Sequence, residues 1–224
     1  AGFVAAGVDV LLTGPLPTPA IAMLTKKLRA DFGIVISASH NPYHDNGIKF
    51  FDAEGEKLSD ALEEAIEAEL ESAPITRDSR ALGQAKNASA ARADYSEFCK
   101  ATVPAGMDFA DLKIVVDASH GAAYKVAPRV VSDLGADVVA VGCSPNGRNI
   151  NDGCGSTRPD LLKLTVTGVR AHVGFALDGD GDGVEVVGRD ARSRPELGDG
   201  RGQLDRLGAA AAPAELGQDA AAVM

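Results

Sequence analysis

Ser37-Ala-Ser-His-Asn-Pro-Tyr-His-Asp-Asn-Gly-Ile-Lys-Phe50 places a hydroxyl, an imidazole and a turn-forming Asn-Pro pair directly after the apolar run Gly33-Ile-Val-Ile36. A strand that delivers a serine to its carboxyl end holds the hydroxyl on a rigid sheet while solvent still reaches it. Pro42 cannot extend a ladder, so the chain must bend just after the hydroxyl. Ser39 is therefore a candidate nucleophile, with His40 beside it and Lys49 following in the short strand Ile48–Phe51. Ala118-Ser-His-Gly121 repeats the Ser-His pair without Asn-Pro and reads as structural.

A second constellation, Asp178-Gly-Asp-Gly-Asp-Gly183, follows the apolar run Val173–Leu177. Carboxylates at alternate positions, with glycines that let the loop fold back, converge on one hard cation, and an oxygen-only set favours magnesium or calcium. A calcium helix-loop-helix reading fits the first positions, but the twelfth is Arg189, where a bidentate Glu is required, and the flanks read as strands. A D-x-D-x-T phosphatase loop fails at Asp182.

Taken together, these residues resemble the α-D-phosphohexomutases, the sugar-phosphate mutases whose active serine carries a phosphoryl group. The form S-A-S-H-N-P-x-x-D-N-G-I-K-F-F, the segment Gly142-Cys-Ser-Pro-Asn-Gly-Arg-Asn-Ile-Asn151 and the helix around Tyr95–Lys100 are most similar to the branch acting on glucosamine phosphates, and the likeness runs from about Val8 to Gly188. The resemblance implies an isomerase that interconverts glucosamine 6-phosphate and glucosamine 1-phosphate through phospho-Ser39 and glucosamine 1,6-bisphosphate. It also implies Mg2+ held by Asp178, Asp180, Asp182 and the Ser39 phosphate, with Lys49 as acid/base or phosphate contact and His40 as loop or phosphate contact. Glucose or mannose phosphate is the alternative substrate within the family, and a metal-binding fragment without turnover is the alternative outside it. One departure stands out: the family loop continues with arginine, whereas this chain has Gly183. That replaces a planar bidentate phosphate donor with nothing.

The elements that must position these residues alternate between strand and helix periodicity. Val8–Leu12 predicts a strand, and Thr18 with Pro19 predicts the capped start of a helix. Ser59 caps a helix whose Leu62, Ile66 and Leu70 fall on one stripe and are expected to be buried. Residues 72–87 read as a loop or hairpin. The pattern restarts with a strand at Lys113–Val116, a helix ending at Gly135, a strand at Asp137–Val141 and a helix at Leu161–Val169. The fold class is thus α/β, two similar domains with mixed or parallel sheets covered by helices. The expected domains are 1–104, with the serine loop, and 105–188, with the acidic loop. The first is expected to lack the family's opening strand and its substrate-side arginine. Residues 189–224, rich in Ala, Gly and Arg and without Ile, Phe, Tyr, Lys or Thr, are expected to be an aberrant, disordered tail, consistent with an out-of-frame reading.

Charge and cysteine usage narrow the partners. Lys plus Arg number 22 against 32 Asp plus Glu, a net charge of −10, which argues against nucleic acid and anionic membranes. A phosphorylated substrate must then be drawn by local cations. Cys99, Cys143 and Cys154 form no C-x-x-C pair and read as reduced thiols of a cytoplasmic protein. No long apolar run suggests a membrane span.

Overall fold

The computed structural model describes residues 1–189; the tail expected beyond Gly188 lies almost wholly outside the described residues. The first half runs α1 (Gly2–Ala5), β1 (Val10–Leu12), α2 (Thr18–Leu28), β2 (Gly33–Ser37), β3 (Gly47–Phe51), α3 (Asp60–Ala68), β4 (Ala85–Asn87) and α4 (Ala91–Ala101). The second runs β5 (Lys113–Asp117), α5 (Val126–Asp133), β6 (Asp137–Val141), α6 (Asp160–Gly168), β7 (Val173–Leu177) and β8 (Val184–Gly188). Both halves are α/β.

In the second half one four-stranded mixed sheet has the order β6-β5-β7-β8, with β5 parallel to both neighbours and β8 antiparallel to β7. The central strand β5 carries Ile114, Val115 and Val116, all at most 2% exposed, as expected where helices cover both faces. On one face Leu162 and Val166, one turn apart on α6, pack with Val115, Ala176 and Val187. In the first half the strands pair as two separate ribbons, β1 parallel to β4 and β2 antiparallel to β3.

Another cluster joins the halves: Leu16, Ala20 and Leu24 from α2 and the turn before it meet Ala91, Tyr95 and Cys99 of α4 and Val126 and Val130 of α5. This core fixes the start of α2 against the second half.

Two expectations are corrected and one is narrowed. The Leu62/Ile66/Leu70 stripe is not buried: α3 buries none of its residues, and Leu62 and Leu70 are exposed. Helical periodicity reports a face, but among the described residues no sheet or helix covers this one. Residues 72–87, read as a loop or hairpin, take the loop alternative, with a 3-10 turn at Ser79–Ala81 before β4, which pairs in parallel with the distant β1. Thr18 does not cap α2 with its side chain. The helix begins at Thr18 itself after Pro17, and the hydroxyl is used elsewhere.

Candidate active site

The serine loop leaves β2 through a tight turn in which Ser37 Oγ accepts the Ser39 N–H at 2.9 Å and Asn41 N–H donates to Ala38 O at 2.8 Å. Ser39 adopts φ +51°, a left-handed conformation costly for a residue with a Cβ. Donors from the second half hold it there. Its carbonyl accepts Gly179 N–H at 3.1 Å and Asn151 Nδ2 at 2.7 Å, and the same amide nitrogen donates to Asn41 O at 2.8 Å. Gly179 must be glycine at this crossing, because a Cβ there would run into the Ser39 carbonyl and the Ile150 side chain.

The acidic loop is the tight connection between the antiparallel strands β7 and β8. Asp178 Oδ1 accepts the N–H groups of Gly181, Asp182 and Gly183 at 3.0, 3.1 and 3.0 Å, curling the loop around one carboxylate. Gly181, at φ +73°, supplies the reversal. Asp178, Asp180 and Asp182 each offer an oxygen within 4.8 Å of the others. Asp180 is fully buried. Its Oδ1 accepts Ser39 Oγ at 3.0 Å, while its Oδ2 accepts both Lys49 Nζ and Thr18 Oγ1 at 2.7 Å. Lys49 Nζ also reaches Asp182 Oδ2 at 3.1 Å. Among the described residues Asp178 Oδ2, Asp180 Oδ1 and Asp182 Oδ1 accept no N–H donor, and Ser39 Oγ reaches Asp180 Oδ1. An all-oxygen donor set of this kind suits a hard divalent cation, so the acidic triad can bind a metal.

Electrostatics set the three carboxylates apart. Burial, with the charges of Asp180 and Asp182, pushes Asp178 up to about 7 against the pull of its backbone donors. Burial would also raise Asp180, but hydrogen bonds from Lys49 and Thr18 outweigh it and hold that carboxyl at about 2. Partial burial works against the Lys49 charge; hydrogen bonds to Asp180 and Asp182 overcome it and raise its pKa, so the ammonium persists.

Of the residues singled out in the sequence, Ser39, Lys49, Asp178, Asp180 and Asp182 come together. His40 does not join them: it is exposed and makes no side-chain hydrogen bond among the described residues. Ser119 has the same φ, +51°, but its buried hydroxyl donates to Ala118 O at 2.8 Å. Gly183 needs no glycine: its φ is not positive, and a Cβ would meet Asp178 only at ordinary contact, 3.4 Å. Two site residues escaped the sequence reading, Thr18 and Asn151. A cavity of about 490 Å3 opens beside the serine loop, with Ser37, Gly179, Asp180, Tyr43 and His120 in its wall. Cys99 and Cys154 are buried and Cys143 half-buried, all as free thiols.

A left-handed serine pressed against a strand-end cluster of carboxylates, across two α/β units, defines the site. Profiles of the phosphoglucomutase/phosphomannomutase α/β/α domains I and II match residues 1–92 and 93–191, and the chain belongs to that family. Among similar curated proteins, the phosphoglucosamine mutase of Methylibium petroleiphilum is 53% identical, covering 97% of this chain and 49% of the relative. That of Burkholderia cenocepacia is 55% identical over 89% of this chain and 44% of its own length. A crystal structure of a phosphoglucomutase/phosphomannomutase family protein from Burkholderia thailandensis superposes with a TM-score of 0.71 at 27% identity, over 86% of this chain and 43% of that one. A phosphomannomutase-like structure from Thermus thermophilus shares the fold, with a TM-score of 0.69 at 24% identity, over 86% and 45%. The chain spans about half the length of the curated relatives it matches. Among the described residues no helix is long and apolar enough to cross a membrane.

Proposed function

We propose that this chain is the phosphoserine and metal half of a phosphoglucosamine mutase, acting on glucosamine 6-phosphate and glucosamine 1-phosphate by way of glucosamine 1,6-bisphosphate. The observation that carries the reading is the 3.0 Å contact of Ser39 Oγ with Asp180 Oδ1, made between segments 141 positions apart. In the forward step a sugar hydroxyl attacks the phosphorus of phospho-Ser39; the new bond is to the sugar oxygen, the bond to Ser39 Oγ breaks, and the hydroxyl proton passes in net to the departing Ser39 Oγ. Return of the other phosphate reverses the roles. Serine divides one transfer between two sugar positions into two covalent steps. Lys49 is kept charged by Asp180 and Asp182, so it serves as a cation on the moving phosphoryl group or as an acid toward the departing Ser39 oxygen, not as a base. Mg2+ is the proposed cation on Asp178, Asp180 and Asp182, where it would offset phosphoryl charge. The proposed domains are 1–104 and 105–188; the family models meet at residues 92 and 93.

A chimera tests the proposal. Residues 8–188, carrying Gly183→Arg, replace the aligned part of the Methylibium relative, and conversion of glucosamine 6-phosphate is followed by a coupled assay. Turnover is expected, and its loss on Ser39→Ala. A folded chimera that turns over nothing, or one indifferent to Ser39→Ala, would refute the reading.

A further inference from the structure

Asp180 Oδ2 carries two donors, Lys49 Nζ and Thr18 Oγ1, each at 2.7 Å. A carboxylate oxygen so engaged has both in-plane lone-pair directions occupied, and the oxygen left for a further ligand is Oδ1, the one turned to Ser39 Oγ. The two donors are not equivalent. Lys49 is a long, flexible side chain, 35% exposed, that also touches Asp182. Thr18 is 7% exposed, β-branched and therefore stiff at χ1, and it stands at the first residue of α2, which the core shared by both halves locks in place. Its backbone is tied to the same aspartate, Thr18 N–H donating to Asp180 O at 2.8 Å. Of the two, only Lys49 is long and exposed enough to swing to a phosphate.

We infer that Thr18 is a positioning residue: its hydroxyl holds the Asp180 carboxylate so that Oδ1 stays aimed at Ser39 and the cation while Lys49 moves between the carboxylates and the phosphoryl group. The inference rests on the metal reading of the acidic triad. It assigns to Thr18 a task that its place in the sequence, as a helix start, does not suggest. It also gives the first half of the chain a direct hold on a metal ligand of the second half.

The test is Mn2+ binding, read from the free-ion electron paramagnetic resonance signal, on the 224-residue chain. Thr18→Val replaces the hydroxyl by a methyl of the same shape and leaves the backbone N–H bond intact; Thr18→Ser keeps the hydroxyl. Losing an outer-shell partner of a metal ligand weakens affinity on the order of 10- to 100-fold. Thr18→Val is expected to lose at least the lower figure and to melt somewhat lower without metal, having lost a buried hydrogen bond to a carboxylate, and Thr18→Ser to stay near the parent in both. Thr18→Ala takes the place of Thr18→Val should the latter not fold. Equal affinity in Thr18→Val and parent, or an equal loss in Thr18→Ser, overturns the positioning role while leaving the metal site standing. A parent chain that binds no Mn2+ at millimolar concentration overturns both.

Discussion

Asn151 offers the sharpest perturbation of the serine loop. Its Nδ2 donates to the carbonyls of Ser39 and Asn41 at 2.7 and 2.8 Å, while its Oδ1 is buried without a partner among the described residues and its own backbone sits at φ +59°. Two neutral hydrogen bonds contribute about 1 kcal/mol each, and a buried acceptor left unpaired costs on the order of 1 to 3 kcal/mol. Truncation therefore removes a gain and a penalty together, but alanine adds the left-handed strain of about 1 kcal/mol that asparagine tolerates better. Asn151→Ala is expected to lose about 1 to 2 kcal/mol, and Asn151→Gly, which takes positive φ freely, about 1 kcal/mol or less. Asn151→Asp is nearly isosteric yet turns the only donor into an acceptor. It faces two carbonyls with a buried, unpaired charge, and the expected loss is above about 3 kcal/mol. Urea unfolding at pH 7.5 without metal measures all three, and limited proteolysis of residues 39–46 reports loop release. If Asn151→Asp unfolds within about 0.5 kcal/mol of Asn151→Ala, the amide does not clasp the loop and the reasoning fails.

Other outcomes follow from the acidic loop and its neighbours. Asp178 ionises near 7 when folded but at an ordinary carboxylate value when unfolded, so its contribution is present below about pH 4 and lost as pH rises through 7. The metal-free melting temperature should fall between pH 5 and pH 8, and Asp178→Asn should flatten that slope; an equally steep slope in the variant rules out Asp178 as its source. Asp180 has the opposite sign: held at about 2, it stabilises above the unfolded value and loses that contribution only as pH falls toward 2. Phosphorylation of Ser39 brings roughly 1.5 to 2 negative charges and three acceptor oxygens to the triad, so phosphorylated protein should bind Mg2+ more tightly than Ser39→Ala in calorimetric titration. Equal affinities would uncouple the two motifs. Gly183→Arg fits the backbone, yet alone it should leave the 224-residue chain without turnover of glucosamine 6-phosphate. Transfer of this kind rests on holding the sugar phosphate in place, where about 1 Å of error can cost on the order of 100-fold. Turnover above the Ser39→Ala control in a coupled assay would count against that.

Local chemistry is what the sequence displays most clearly. The strand before Ser39 and the Asn-Pro turn are encoded within a dozen residues, and the acidic loop declares itself through alternating Asp and Gly between two apolar runs. The α/β alternation of the second half is legible for the same reason, since β5, α5, β6, α6 and β7 each carry their own periodicity. What escaped depends on partners far along the chain. Thr18 beside Pro19 has every local mark of a helix start, and only an aspartate 162 positions away makes its hydroxyl part of the site. Asn151 looks like one more turn-former until Ser39 and Asn41, 112 and 110 positions earlier, lie under its amide. The stripe of α3 failed in the converse way: periodicity shows which residues share a face, and tertiary packing decides whether anything covers it.

The most direct measurement is the location of covalent phosphate. The protein is incubated with glucosamine 1,6-bisphosphate and Mg2+, digested, and its phosphopeptides sequenced by mass spectrometry, with Ser39→Ala treated alongside. The expected result is one phosphate on Ser39, none on Ser37 or Ser119, and none in the variant. Phosphate carried elsewhere, or acquired equally by Ser39→Ala, would contradict the assignment of Ser39 as the phosphoryl carrier.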